Sequence, residues 1–447
     1  MKLIVPDAPC TLYRTAFDDS DLLDRKPLSA YLTQLVDTIE DPLVIAVDGT
    51  WGSGKSFFLQ RWVGAHRSQN DGKAIVVYFD AFAHDYLDDP LIALVGVIAE
   101  RFEQETVSPA SPWKKGKQIV AKLWRPALRV GAALATGGVS ELAGPVGDAA
   151  ATATLKEIET ASEVFWKREE GKRSAMKEFR SFLDEQTKPT GREEPRHLVV
   201  VVDELDRCRP DYALQLLETI KHFFAVANVH FVLGVNLAEL ENSVRARYGA
   251  GTSAKSYLQK FVTLRMQLPD RVKRPNNREN WRVYFEAKAK EMRLSAELVE
   301  AVTRYLARVA PRENLAIRDI QRLLSEIALI RGWQSAGGWR YGFRSILSGL
   351  VVLRHVNPAL YAKARNGTLS FQEVVAYFDL KLGAGDGHSG RINNDEYGFW
   401  ARLLDKKVYD SLDEGLRQAV EHAFFEFATA PDLREIIDSY IEKIEFT

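Results

Sequence analysis

Ile45-Ala46-Val47-Asp48-Gly49-Thr50-Trp51-Gly52-Ser53-Gly54-Lys55-Ser56-Phe57-Phe58-Leu59 is the stretch whose reading decides the fold. An apolar run, Leu43 to Val47, feeds a glycine-rich loop, and the loop feeds an apolar-rich segment that reads as a helix. Gly49, Gly54, Lys55 and Ser56 satisfy the phosphate-loop spacing of Gly, four residues, Gly, Lys, Ser. Glycines let the backbone wrap closely around phosphate oxygens, so successive N–H groups point inward and form an anion nest. The following helix turns its N-terminus and unpaired amides to the same anion. Lys55 is then placed to set a point charge on the β- and γ-phosphates, and the Ser56 hydroxyl to ligate Mg²⁺. The expected nucleotide contacts are Gly49, Thr50, Trp51, Gly52, Ser53, Gly54, Lys55, Ser56 and Phe57, with ATP and Mg²⁺ as the expected ligands.

Working outward, Leu198-Val199-Val200-Val201-Val202-Asp203-Glu204-Leu205-Asp206-Arg207-Cys208 is the second signal. Five apolar residues, four of them valine, read as a buried parallel strand with acids at its C-terminal end. Ligands of open α/β sheets bind at that edge. Asp203 is expected to hold Mg²⁺ opposite Ser56, and Glu204 to orient or deprotonate the attacking water. Ala74 to Phe79 and Val229 to Val235 are further strand-length apolar runs, and Asn236 at the end of the latter is placed to reach the γ-phosphate or the water. A fifth strand is expected over Val262 to Leu268, stopped by Pro269. Five strands with helical crossovers predict a three-layer α/β fold around a mainly parallel sheet.

The ends of the chain are less explicit. Leu28, Tyr31, Leu32, Leu35, Val36 and Ile39 recur at helical spacing, which predicts a helix over Leu28 to Glu40. Arg25, just ahead of it, reads as a solvated surface arginine, with a place beside the nucleotide as the alternative. The partition expected is a nucleotide-binding core over 1–104 and 196–270, an insertion over 105–195, a helical lid over 271–335 and a helical C-terminal region over 336–447.

Composition bounds the function. With 46% hydrophobic and 27% charged residues the chain reads as globular, and a formal net charge of -1 supplies no global drive towards nucleic acid. Two cysteines, Cys10 and Cys208, are too far apart for metal-ligand spacing and point to a reducing compartment. The N-terminal residues show no basic region followed by an apolar core, so a cytoplasmic location is expected. The insertion is different. Lys114, Lys115, Lys117, Lys122, Arg125 and Arg129 interleave with Trp113 and Trp124, and an Ala/Gly-rich stretch follows. Its longest uncharged run, Val130 to Ser140, is well short of the ~20 residues that span a bilayer. Residues 113–129 read either as a solvated insertion or as a segment lying on an anionic membrane surface, with nucleic acid the weaker alternative.

Three stretches together, Gly49 to Ser56 with its tryptophan, Asp203 to Cys208, and Tyr257-Leu258-Gln259-Lys260-Phe261, resemble the KAP family of P-loop NTPases. The family is named for a neuronal membrane scaffold and a plasmid-encoded phage-exclusion protein. The similarity covers roughly residues 20 to 335 and leaves the C-terminal quarter undescribed. It implies an ATPase of the class with an extra catalytic acid, that role falling on Glu204. It also implies a lid helix whose arginine reaches the γ-phosphate, and Arg318 in Leu315 to Leu324 resembles that position. Many members carry transmembrane helices between the two nucleotide motifs, where this chain has its basic and Ala/Gly-rich insert. Several bacterial members are associated with defence against phage.

Three functions compete at this point. The leading one is an ATP-driven conformational switch acting on a protein partner or through self-association, cytoplasmic or peripheral at the inner face of the membrane. The others are a P-loop kinase with an unidentified acceptor and a nucleotide-binding scaffold. Adjacent Asp203 and Glu204 favour water over another acceptor, and intact Lys55, Asp203 and Glu204 argue against a scaffold.

Overall fold

Strand-length apolar runs need cover on both faces, and the computed structural model shows how this chain supplies it. The structure describes residue 5 and residues 10–18, 21–69, 74–87, 89–105, 174, 176–188, 196–223, 225–268, 280–313, 315–330, 341–383, 388–424 and 433–442. The basic stretch over 113–129 and the Ala/Gly-rich stretch lie outside the described residues.

Strands β1 (Val44–Asp48), β2 (Ile75–Asp80), β3 (Leu198–Asp203), β4 (Val229–Val235) and β5 (Leu264–Gln267) form one parallel sheet in the order β2-β3-β4-β1-β5. Every residue of β3 and β4 is buried, which explains why their sequences are unbroken apolar runs rather than alternating ones. The period of two survives in the packing. Val199 and Val201 face a cluster with Phe58, Leu59 and Trp62, while Leu198, Val200 and Val202 face Leu94, Ile98 and Leu216. The first layer is α1 (Lys26–Thr38) and α2 (Lys55–Gln69); the second is α3 (Pro90–Glu105), α4 (Pro210–Phe223), α5 (Leu237–Tyr248) and helical residues 176–187. Each fully buried valine or leucine contributes roughly 1.5–3 kcal/mol, so a charge introduced at Val201 would unfold the sheet rather than merely weaken it.

Two expected boundaries move. The first helix runs Lys26–Thr38 rather than Leu28 to Glu40, because Pro27 suits its first turn and Ile39 is already extended ahead of Asp41-Pro42. The fifth strand is Leu264–Gln267, shorter than Val262 to Leu268. It is an edge strand with a single buried residue, Met266, and pairs only with β1.

The N-terminal residues strap α2 from outside. Arg61 is almost fully buried and donates to the Ala16 carbonyl at 2.8 Å. A Cβ on Gly64 would lie 2.3 Å from the Thr15 carbonyl oxygen, so only glycine allows the strap to pass that close.

Beyond the sheet the chain is helical. Helices α6 (Asn280–Glu291), α7 (Ala296–Val309), α8 (Ile317–Leu329) and α9 (Tyr341–Val356) lead into further helices ending at Phe424 and a last segment over Leu433–Ile441. Ser295 caps α7 by accepting from the Leu298 N–H. One apolar cluster takes residues from Trp281 to Ile441, so residues of the expected lid (271–335) and of the expected C-terminal region (336–447) share a core. Inside it, Glu396 is fully buried and accepts from Arg304 at 3.0 Å and Arg308 at 2.6 Å. No helix among the described residues is long and apolar enough to cross a membrane.

Candidate nucleotide site

Register assembles the site at the C-terminal edge of the sheet. Asp48 pairs with Val235 on one side and Gln267 on the other, while Asp203 pairs with Gly234 and Asp80. Because β4 lies between β1 and β3, the phosphate loop and the acids stand apart by one strand. That gap leaves room for a ligand between them.

The loop's shape comes from its glycines. Gly52 and Gly54 have φ of 80° and 83°, a region that residues with a Cβ enter only with strain. Lys55 opens α2 and folds back, donating to the carbonyls of Gly49 at 2.7 Å and Thr50 at 3.2 Å. Burial pushes its pKa down, against the attraction of Asp206 and Asp203. These two carbonyl bonds are ones that a phosphate would replace. Behind the loop stands Arg25. It is not the solvated arginine first expected: it is 2% exposed and donates to the Gly54 carbonyl at 2.9 Å and the Ser53 carbonyl at 2.5 Å. Two carbonyls held outward leave the adjoining amides to point inward. Arg25 also lines the cleft.

The segment after β3 distributes its side chains in four directions. Asp203 is fully buried; it accepts from the Tyr78 hydroxyl at 2.7 Å and the Glu204 N–H at 2.9 Å, and is hydrogen-bonded to Ser56. Burial raises its pKa against those bonds. Leu205 enters the core. Asp206 accepts from the Trp51 indole N–H at 2.6 Å, fastening the phosphate loop to the acidic turn. Glu204 has a left-handed backbone, φ 59°, and its carboxylate meets Arg207 at 2.9 Å. Desolvation raises the Glu204 pKa and the Arg207 charge opposes that rise.

The helical unit supplies the opposite wall. A cleft of about 560 Å³ is lined by Gly52, Gly54, Lys55, Ser56 and Phe57 on one side, by Asp203 to Arg207 less Leu205, and by Tyr284, Lys288, Ile317, Arg318 and Gln321 on the other. Cys10, Leu22 and Leu23 also line it. Arg318 sits against the loop: a Cβ on Gly52 would lie 2.6 Å from the Arg318 Cβ. Gln321 donates to the Tyr284 hydroxyl at 2.8 Å, joining α8 to α6 across that wall.

Lys55, Ser56, Asp203, Glu204 and Arg318 are thus brought together. Asn236 stands at the end of β4, N-terminal to α5, and does not line the cleft. Gly49, Thr50, Trp51 and Ser53 belong to the loop without lining the cleft. Sequence reasoning passed over Arg207 and Tyr78 and assigned Asp206 no contact. Asp206 and Arg207 were within the quoted motif; nothing marked Tyr78, whose hydroxyl is 125 residues from its acceptor in the chain.

A parallel sheet with a phosphate loop between β1 and α2, and an acidic pair one strand away on β3, defines a P-loop nucleotide-binding protein. Within that class the chain belongs to the KAP family: the profile of the KAP family P-loop domain matches residues 25–332. No curated protein matches it. Among solved structures it is similar to the Aeropyrum pernix ORC2 protein, in its ADP form and as ADPNP-ADP complexes. Both are 12% identical, with TM-scores of 0.37 and 0.36, over 92% of this chain and 87% and 96% of those chains.

Proposed function

We propose that this chain is a Mg²⁺-dependent ATPase working as a nucleotide-driven switch. The observation that carries the reading is the single cleft to which the phosphate loop, the acidic turn of β3 and α8 of the helical unit all contribute. Lys55 leaves its two carbonyls and places its charge on the β- and γ-phosphates. Asp203 and Ser56, already hydrogen-bonded to each other, offer the hard oxygen donors that suit Mg²⁺, and a buried carboxylate with a raised pKa gains from a cation. When bound, Mg²⁺ neutralises charge developing on the phosphate oxygens.

Glu204 takes a proton from water as the water oxygen attacks the γ-phosphorus. The bond from that phosphorus to the bridging oxygen breaks, ADP leaves with the electron pair, and phosphate is released. Arg318 reads the γ-phosphate, and Asn236, which stands at the end of β4 outside the cleft lining, has to move to join it. Because Arg318 belongs to a unit with its own core, its hold on the γ-phosphate closes the helical unit onto the sheet, and loss of that phosphate reopens it. Closure of this kind is what a switch transmits to a protein partner or a second copy. Two further roles rest on less: defence against phage on family resemblance alone, and attachment to an anionic membrane surface on the basic stretch over 113–129.

The test is to incubate the purified chain with Mg²⁺ and ATP labelled at the γ-phosphate, with and without cell extract, and to separate the products by thin-layer chromatography. Label in free phosphate is the expected result. Label on another molecule makes the chain a kinase, and binding without turnover makes it a scaffold.

A further inference from the structure

Arg207 is a charge in the cleft to which the mechanism above gives no task. Leu205–Arg207 forms one turn of 3₁₀ helix, with Glu204 in a left-handed conformation just ahead of it. Glu204 and Arg207 both line the cleft, and their side chains meet at 2.9 Å. The turn is fixed from two other directions, by buried Leu205 and by the Trp51 bond to Asp206, so this pairing is built into its shape. The guanidinium is 36% exposed, and its charge reaches Lys55, which places it beside the residue meant for phosphate.

A carboxylate engaged in an ion pair is a poor base, because the pair occupies its lone pairs and favours its charged form. A triphosphate arriving at the loop brings a denser anion, and a guanidinium matches phosphate oxygens with two parallel bonds. We propose that Arg207 is a γ-phosphate sensor: it holds Glu204 in the nucleotide-free chain and releases it when a nucleoside triphosphate, and not a diphosphate, draws the guanidinium away. This rests on the reading of Glu204 as the base. It couples water activation to the presence of the bond to be broken, so that Glu204 is withheld while ADP or nothing occupies the cleft.

Two measurements test it. In EDTA, calorimetry gives the affinities of wild type, Arg207→Ala and Arg207→Lys for a non-hydrolysable ATP analogue and for ADP, with melting temperature as the control for folding. Arg207→Ala is expected to lose on the order of tenfold in affinity for the analogue and none for ADP, with part of the loss recovered by lysine. The second is the same pair of affinities in Glu204→Gln, where no carboxylate holds the guanidinium: the analogue should bind more tightly than in wild type and ADP no differently. An unchanged preference for the analogue over ADP overturns the proposal. So does an unchanged affinity for the analogue in Glu204→Gln, which means that Glu204 does not hold Arg207. If Glu204→Gln hydrolyses ATP at the wild-type rate, the base assignment fails and the sensor fails with it. If wild type binds neither nucleotide, the reading of the whole cleft fails.

Discussion

Arg25→Met removes the guanidinium behind the phosphate loop and keeps the unbranched stem. Arg25 is 2% exposed, so solvent does not take its place, and its two donations, 2.9 Å to Gly54 and 2.5 Å to Ser53, end on carbonyls that are left without that donor. A hydrogen bond from a charged donor contributes ~1.5–3 kcal/mol net. Two at the lower figure give about 3 kcal/mol. Unfolding entropy of ~2.1 cal/mol/K per residue, over 447 residues melting as one unit, turns this into a Tm lower by about 3 °C. The larger effect falls on nucleotide affinity, because the Ser53 carbonyl loses the Arg25 donor and the Gly54 carbonyl is left with the Phe58 N–H at 3.1 Å, so the loop that offers its amides to phosphate is held less firmly. A loss of ~3 kcal/mol in preorganisation corresponds to roughly a hundredfold in Kd, and part of it returns when ATP itself orders the loop. Calorimetry should therefore show ATP binding weakened by about ten- to a hundredfold. Arg25→Lys, which keeps the charge and loses the fork, should fall between the two. A methionine variant with the wild-type Tm and the wild-type affinity would refute the reasoning, since it would mean that the loop holds its shape unaided.

Trp51→Phe removes the 2.6 Å bond to Asp206 while keeping most of the ring. It should lower the ATPase rate and cost only about 2–3 °C in Tm, and an unchanged rate denies the loop-to-turn fastening any role. Gly52→Ala sets a methyl group 2.6 Å from the Arg318 Cβ on a backbone at φ 80°. It should depress turnover more than overall stability, and a variant as active as wild type would mean that α8 does not work against the loop. His230 is fully buried, and burial lowers its pKa to about 4. Between the unfolded value of ~6.5 and about 4 the unfolded chain binds more protons, so stability is full above that window and falls as pH drops through it. His230→Phe should flatten the Tm-against-pH curve there, and an unaltered slope removes His230 from acid unfolding.

The sheet was legible because burial on both faces leaves an unmistakable mark. The valines of β3 and the run Val229–Val235 have no polar member to hide, apart from His230. At β5 the mark fades, since three of its four residues are exposed and an edge strand needs apolar residues on fewer sides. The phosphate loop was legible for another reason: its chemistry is local, and spacing alone states it. What spacing does not carry is contact across the chain. Trp51 and Asp206 are 155 residues apart, and Arg25 meets carbonyls, which have no signature in a sequence of side chains. The backbone position of Asn236 was readable, but its distance from the cleft depends on how β4 ends. A lid helix carrying Arg318 was implied by the resemblance, and its placement against Gly52 follows from the packing of a unit whose core runs to Ile441.

Glu204→Gln measures the central claim most directly, because glutamine keeps the size of the side chain and cannot accept the proton from water. Wild type and variant are compared for equilibrium binding of ATP and for release of labelled phosphate at saturating ATP and Mg²⁺. The variant should bind ATP at least as tightly and release phosphate more slowly by about 10²- to 10⁴-fold. Phosphate release at the wild-type rate would contradict it and move the search for the base to Asp206.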